Sequence, residues 1–154
     1  MSVPIRALQA DDHARWLELW EGYNRFYERG PDPVQAAHTW RRLLAPDSPV
    51  HGVVACDASG RPIGLAHYIL HENTNTLTPV CYLQDLFVDP AVRAAGVGGQ
   101  MLDWLVARMK ENNWSRLYWN TRENNYRARG LYDKYTPHSG FLRYVLANTS
   151  PSGK

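Results

Sequence analysis

A glycine-rich run in the second half of the chain joins a strand pattern directly to a helix pattern. Before it, residues 82–88 are largely apolar and rich in β-formers. After it, apolar residues recur at helical spacing, at Met101, Leu102, Leu105, Val106 and Met109. The glycines therefore fall at a helix N-terminus, where unpaired amide groups and the positive end of the helix dipole attract an anion. The run predicts a phosphate-binding turn between a strand and a helix.

The spacing of the glycines excludes two common nucleotide-binding motifs. A dinucleotide fingerprint that starts at Gly96 would need a third glycine where the chain has Met101. A mononucleotide P-loop would need lysine followed by serine or threonine, but Gly98-Gly99 is followed by Gln100-Met101. What remains is an Arg-x-x-Gly-x-Gly pattern that begins at Arg93 and opens a helix.

This pattern resembles the pyrophosphate-binding signature of the GCN5-related N-acetyltransferase (GNAT) family, which binds acetyl-coenzyme A. Downstream, the string Asn-x-x-Ala-x-x-Leu-Tyr at residues 125–132 resembles the family's second motif. The strand at residues 82–88 is similar to the Leu-Glu-Asp-Leu-x-Val strand of the polyamine and diamine acetyltransferase branch, with Gln84 in place of glutamate. The close resemblance covers about residues 80 to 135.

The resemblance implies where acetyl-coenzyme A binds. The backbone of Leu86, Phe87 and Val88 is expected to pair with the pantetheine arm as an added strand would, and an amide near Leu86 to stabilise the oxyanion. Asn125 is expected to reach the pantetheine, and Arg122, Arg127 and Arg129 are candidates for the outer phosphate, or else a solvated helix face. The turn expected to hold the pyrophosphate comprises Arg93, Ala94, Ala95, Gly96, Val97, Gly98 and Gly99.

Acetyl transfer to an amine sets two requirements for protons. An alkylamine with a pKa near 10.4 must lose a proton before it attacks, and a leaving thiolate with a thiol pKa near 8.5 must gain one. A tyrosine with a pKa near 10 is weaker than that thiol by about 2 kcal/mol, which is small enough for a positioned phenol to serve. Tyr132 lies where the resemblance places this acid, so we assign protonation of the thiolate to it. The alternative is that Tyr132 only packs against the sheet.

Asp85 and Gln84 are the other catalytic candidates. Strand alternation places Asp85 on one face with Leu83 and Phe87, where a carboxylate is costly unless it has a partner. Asp85 is expected either to bind or deprotonate the amine or to anchor a neighbouring loop. Gln84 cannot act as a base, but it can orient a water or an ammonium group. The identity of the general base therefore stays open.

Length and pattern predict one α/β domain, which matches the acetyltransferase fold that the resemblance implies. A chain of 154 residues is long enough for one sizeable core, and we expect a domain over residues 1–147 and a disordered tail over 148–154. The sheet is predicted to be mixed and mostly antiparallel, with helices on both faces. Strands are expected at residues 3–8, 50–56, 62–71, 82–88, 117–120 and 141–146, and helices at 11–27, 34–44, after the glycine turn and at 123–134.

Composition argues against several other functions. Lys plus Arg number 17 and Asp plus Glu 15, so the net charge of +2 argues against binding nucleic acid through bulk charge. The chain has no apolar run of the roughly 18 residues that span a bilayer, and its start does not resemble a signal peptide, so a cytoplasmic protein without a membrane partner is expected. Cys56 and Cys81 are expected to be buried thiols, and the histidines form no metal set, so no metal is expected.

The predicted activity is transfer of an acetyl group from acetyl-coenzyme A to a primary amine of a small molecule, by direct attack in a ternary complex. A polyamine, a diamine and a lysine-like amino acid are the acceptors considered. A protein or peptide acetyltransferase, a non-catalytic acyl-coenzyme A sensor and an arginine-rich nucleic-acid module are the alternatives. The sequence leaves open a homodimer. It also leaves open whether an aromatic stripe on the first helix is core or lines the amine pocket; the stripe comprises Trp16, Trp20, Tyr23, Phe26 and Tyr27.

Overall fold

The computed structural model describes residues 2–92 and 96–149. The chain divides into two compact units, Met1–Asn120 and Thr121–Lys154. The strands of the first unit are β1 (Ile5–Ala7), β2 (Val50–Cys56), β3 (Pro62–His71), β4 (Val80–Val88) and β5 (Arg116–Trp119), and its helices are α1 (His13–Phe26), α2 (Pro33–Leu44) and α3 (Val97–Glu111). The second unit contains α4 (Tyr126–Tyr132).

The strands form one sheet in the order β1-β2-β3-β4-β5. The first three pairings are antiparallel and the pairing of β4 with β5 is parallel. The hairpin of β2 and β3 turns through Asp57, whose carboxylate accepts hydrogen bonds from the amides of Ser59 and Arg61. Gly60 completes this turn with a φ of +86°. The prediction of a mixed, mostly antiparallel sheet is confirmed.

Helices cover both faces of the sheet, as predicted. His67 and Tyr68 are neighbours on β3 and therefore point to opposite faces. The His67 ring meets Trp16 and Trp20 of α1, whereas the Tyr68 ring meets Trp104 of α3. A hydrophobic core lies on the α1 side, which α2 also covers, and includes Trp16, Leu19, Trp20, Tyr23, Ala36, Leu43, Val54 and Leu65.

The helices begin where the sequence supplies partners for their first amide groups. The carboxylate of Asp32 accepts a hydrogen bond from the Gln35 amide, and Pro33 occupies the first position of α2, where its missing N–H costs nothing. Before α1, the Asp12 carboxylate accepts two hydrogen bonds from the Arg6 guanidinium, at 2.7 and 2.9 Å, and a third from the Gln9 amide. These contacts attach the start of α1 to β1.

Strand β4 contains one extra residue, which corrects part of the predicted face pattern. Asp85 is opposite His67 of β3, but the next β3 residue, Tyr68, is opposite Leu83, so Gln84 has no partner in the register. Paired residues share a face of the sheet. Asp85 therefore faces α1 with Phe87, as expected, while Leu83 lies on the α3 face with Tyr68, contrary to expectation. The bulge at Gln84 inverts the alternation between the two halves of the strand.

The second unit departs from the predicted pattern after its helix. Helix α4 is shorter than the expected 123–134, and no strand forms at residues 141–146, so that prediction is wrong for this structure. Large apolar side chains in this segment are exposed, with Phe141 92 % accessible. An alternating pattern is local, whereas a strand also needs a hydrogen-bonded neighbour, and none is present here in the described residues. The predicted tail lies mostly outside those residues.

No helix in the described ranges is both long enough and apolar enough to cross a membrane.

Candidate active site

The second half of β4 has an open edge. Strand β5 ends at Trp119, opposite Leu83, so within the described residues β4 has strand neighbours on both sides only up to that point. Leu86, Phe87 and Val88 pair with β3 alone. Their outward backbone groups are available to an extended ligand, which is the contact predicted for the pantetheine arm.

The bulge separates two catalytic candidates into different environments. Gln84 is exposed, while its neighbour Asp85 is 9 % accessible and faces the core on the α1 side. A polar side chain at the surface and a buried carboxylate therefore follow directly after the point where β4 loses its second neighbour. Because of the β-bulge, the consecutive residues Gln84 and Asp85 occupy a surface position and a buried position at the same place on the strand.

Asp85 has the partner that its burial requires. His67 Nδ1 lies 2.9 Å from Asp85 Oδ2, and Trp16 Nε1 lies 2.9 Å from His67 Nε2. Trp16 and His67 are 0 % and 2 % accessible. The sequence pattern assigned no role to His67, one of the histidines that form no metal set, and placed Trp16 only in an aromatic stripe. The register of β3 against β4, which the sequence pattern does not give, brings them to Asp85.

Tyr23 also contacts Asp85. Burial raises the pKa of the Tyr23 hydroxyl, and the negative charge of Asp85 and a hydrogen bond to its carboxylate raise it further. Tyr23 is therefore a neutral donor to Asp85. Its ring meets Phe87 edge-on, with 6.0 Å between the centroids. The buried part of the aromatic stripe is thus core and lies beside the candidate site, whereas Phe26 is 65 % exposed.

An ion pair anchors the loop that follows β4. Asp89 Oδ2 accepts a hydrogen bond from Arg15 Nη2 at 2.6 Å, and Asp89 Oδ1 accepts one from the Ala91 amide at 2.9 Å. Arg15 also donates to the Pro62 carbonyl, at the start of β3. The Arg15 guanidinium lowers the pKa of Asp89. This ion pair, which no local sequence pattern indicates, links α1 and β3 to the loop that leads to the predicted phosphate turn.

The end of the predicted phosphate turn has the geometry that its glycines suggested. Gly96 precedes α3 with a φ of +86°, a left-handed conformation that favours glycine. Val97, Gly98 and Gly99 form the first turn of α3. An α-helix lacks internal acceptors for its first amide groups, so this end of α3 suits an anion. Arg93, Ala94 and Ala95 lie outside the described residues.

The second unit carries the remaining predicted residues. Asn125 caps α4, because its side-chain oxygen accepts a hydrogen bond from the Ala128 amide at 3.3 Å. Tyr132 is the last residue of α4 and is half-buried. Within this unit, an open pocket of about 560 Å³ is lined by Arg122, Glu123, Asn124, Tyr126 and Arg129. The pocket brings together two of the three arginines considered for the outer phosphate, and Arg127 is not among its lining residues.

Both cysteines are buried free thiols, as expected. Burial raises the pKa of Cys81 to about 12 and also raises the pKa of Cys56. Among the described residues, no group of three or more histidine, cysteine or acidic side chains is arranged to hold a metal ion.

Comparison with known proteins gives consistent matches along the chain. Residues 14–136 match the family model described as acetyltransferase (GNAT) family. A D-amino-acid N-acetyltransferase of Saccharomyces cerevisiae is 32% identical over 133 residues, which cover 86% of this chain and 83% of the relative. An uncharacterized N-acetyltransferase of Bacillus subtilis, YhfO, is 27% identical over 144 residues, covering 92% and 95%. The crystal structure of a probable acetyltransferase superposes with a TM-score of 0.84 at 18% identity, covering 96% of this chain and 99% of that structure.

Proposed function

The chain belongs to the acetyltransferase (GNAT) family and is an acetyl-coenzyme A-dependent N-acetyltransferase, and we propose that its acceptor is the primary amine of a small molecule. The observation that carries this proposal is the bulge at Gln84. It lies where β5 ends, so that in the part of the chain that the structure describes residues 85–88 pair with β3 alone, and it directs the buried carboxylate of Asp85 to the α1 face.

The donor lies along β4 and at the start of α3 in this proposal. The outward backbone groups of Leu86, Phe87 and Val88 pair with the amides of the pantetheine arm, and the first turn of α3 after Gly96 holds the pyrophosphate. The Arg15–Asp89 ion pair supports this arrangement, because it fixes the loop that leads from β4 towards the turn. Arg93 adds a positive charge, and Asn125 contacts the pantetheine.

The acceptor ammonium binds at Asp85. Its carboxylate receives hydrogen bonds from His67 and Tyr23, and an ammonium group adds further donors and a compensating charge. Gln84 orients the amine or the water that receives its proton. A hydrogen bond to a charged group contributes about 1.5–3 kcal/mol, so Asp85 supplies enough attraction to select an amine over a neutral group of the same size.

The reaction then proceeds by direct attack. The ammonium loses a proton through Asp85 or the water at Gln84, and the amine nitrogen forms a bond to the acetyl carbonyl carbon. The C–S bond breaks as the nitrogen loses its second proton, and Tyr132 protonates the departing thiolate. The balanced products are the N-acetylated amine, coenzyme A as free thiol and one proton.

One observation favours an acceptor that also carries a carboxylate. The Arg29 guanidinium lies 5.5 Å from the centre of the Tyr23 ring and 5.2 Å from that of Tyr27. Glu28 turns the chain with a φ of +58°, and the Arg29 amide and Nε both bond to Asn24. Tyr23 thus contacts an anion through its hydroxyl and a cation through its ring. This arrangement suits a free amino acid, the substrate class named for the yeast relative.

A panel of acceptors tests the proposal. Release of the coenzyme A thiol is followed with diamines, polyamines, free D- and L-amino acids and a short peptide. Asp85→Asn should lower kcat/KM for every amine about 10- to 100-fold and leave the KM for acetyl-coenzyme A unchanged. Asp47→Asn, the same charge change at an exposed loop position, is the control.

The Arg29→Gln variant separates the acceptor classes. It should raise the KM for amino acids and leave the KM for diamines unchanged, because only the amino acid presents a carboxylate to the guanidinium. Turnover of the peptide alone would favour the protein acetyltransferase, and tight binding of acetyl-coenzyme A without turnover of any amine would favour the sensor.

A further inference from the structure

Three buried side chains from three elements form a single chain of hydrogen bonds that ends at Asp85. Trp16 comes from α1, His67 from β3 and Asp85 from β4. Trp16 Nε1 is 2.9 Å from His67 Nε2, and His67 Nδ1 is 2.9 Å from Asp85 Oδ2. The described residues contain no buried side-chain nitrogen or oxygen without a hydrogen-bond partner. Each buried polar atom of Trp16, His67 and Asp85 therefore has a hydrogen-bond partner.

The chemistry of the indole determines which atoms carry the protons. Indole can only donate through Nε1–H, so His67 Nε2 must be the acceptor and carries no proton. The proton of neutral imidazole is then on Nδ1, which donates to the Asp85 carboxylate. The indole of Trp16 therefore sets the direction of both hydrogen bonds. The indole donates to the imidazole, and the imidazole donates to the carboxylate.

This direction preserves the negative charge of the cluster. A second proton on His67 would have to occupy Nε2, where the indole N–H already points. An imidazolium at this position would form a neutral pair with Asp85 and leave no net charge for an ammonium group. Among the described residues, the ionisable groups near these three side chains include Tyr23, which donates to Asp85, Tyr27 and Arg29, which contact the Tyr23 ring, and His13, whose ring stacks on Trp16.

We propose that Trp16 and His67 are positioning residues for the acceptor, which orient the Asp85 carboxylate and keep it unneutralised so that its remaining lone pairs bind the ammonium group. The inference rests on the proposed function of Asp85. It also explains why a buried aromatic stripe on α1 includes an indole whose N–H faces a histidine rather than a hydrocarbon.

Nuclear magnetic resonance tests the hydrogen bonds of Trp16, His67 and Asp85 without requiring enzymatic turnover. In the intact protein with ¹⁵N-labelled histidine, the His67 ring should show a protonated Nδ1 and an unprotonated Nε2. In Trp16→Phe, which keeps an aromatic ring but removes the donor, Nδ1 should keep its proton because Asp85 still accepts from it, and Nε2 should lose the signature of an accepted hydrogen bond and become free to take a second proton. A protonated Nε2 in the wild-type protein would overturn the proposal.

Kinetic measurements with the best acceptor of the panel test whether Trp16 and His67 position Asp85 for the acceptor. His67→Leu removes the donor to Asp85 and should raise the acceptor KM about 10- to 100-fold, while Trp16→Phe should raise it about 3- to 10-fold. His67→Asn places an amide nitrogen the same number of bonds from the backbone as Nδ1, so it should recover the value of Trp16→Phe. The KM for acetyl-coenzyme A should stay unchanged in all three variants.

Trp40→Phe is the matched control. The Trp40 ring packs against Trp16 with 5.0 Å between the centroids, but it lies outside the hydrogen-bonded chain. Equal acceptor KM values for Trp16→Phe and Trp40→Phe, or for His67→Asn and His67→Leu, would refute the positioning role. If the wild-type protein acetylates no amine, the proposed function is wrong. The tautomer measurement then still shows whether Trp16, His67 and Asp85 are hydrogen-bonded as described.

Discussion

Two glycines in the same backbone conformation allow the phosphate turn to be tested against a matched control. Gly96 before α3 and Gly60 in the β2–β3 turn both have a φ of +86°. Apart from the chain neighbours of each glycine, a Cβ added at either position would meet no atom of the described residues within 4 Å. Alanine at either site therefore introduces backbone strain without a steric clash, and the strain of a left-handed residue is about 1–2 kcal/mol.

The two alanine variants should differ only in binding of the donor. Each should lose about 1–2 kcal/mol of unfolding free energy in urea denaturation, unless the backbone relaxes. Relaxation at Gly96 would move the first amide groups of α3 away from the pyrophosphate. Gly96→Ala should therefore weaken acetyl-coenzyme A binding about 5- to 30-fold by calorimetry, and Gly60→Ala should leave it unchanged. Asparagine, which tolerates the left-handed region better, should recover part of both losses.

Equal donor affinity in Gly96→Ala and the wild-type protein, with stability also unchanged because the backbone has relaxed, would contradict the assignment of this turn. An equal loss of affinity in Gly60→Ala would show that the effect is a general consequence of destabilisation.

Three further measurements follow from the site. Tyr132→Phe should lower kcat about 10- to 100-fold with unchanged affinity for acetyl-coenzyme A, and unchanged kcat would remove its role as the acid. Arg15→Gln should lower stability by about 1 kcal/mol at pH 7. Because Arg15 lowers the pKa of Asp89 in the folded chain, this difference should be complete above the usual pKa near 3.9 and disappear as the pH falls through the lower folded value, in urea titrations at several pH values. Cys81, whose pKa burial raises to about 12, should react with a thiol reagent only after unfolding, and rapid reaction in the native protein would contradict its burial.

Much of the architecture followed from local patterns. Strands β2 and β3 have the predicted bounds. The alternation of apolar and polar residues marks the extent of each strand, and the turn at residues 57–60 separates them. The glycine turn also precedes a helix, as expected, since left-handed conformation and helix start are local properties. A partner for Asp85 was required by the cost of burying a carboxylate, although its identity was not evident.

The features that the sequence analysis missed depend on pairing between distant segments. The extra residue at Gln84 becomes visible only when β4 is aligned with β3, and the same alignment brings His67 to Asp85. The Arg15–Asp89 ion pair joins residues 74 positions apart. The predicted strand at 141–146 failed for a related reason, because its alternation specifies one face but no neighbouring strand. Local patterns therefore predicted the elements, while the register determined the acceptor site.

The activity proposed for this protein is acetyl transfer to the primary amine of a small molecule. The most direct measurement is the release of the coenzyme A thiol from acetyl-coenzyme A over the acceptor panel, with the acetylated product identified by mass spectrometry. We expect the wild-type protein to form an N-acetylated small amine, with kcat/KM reduced about 10- to 100-fold by Asp85→Asn. Turnover that is restricted to the peptide, or that is the same in Asp85→Asn and Asp47→Asn, would contradict it.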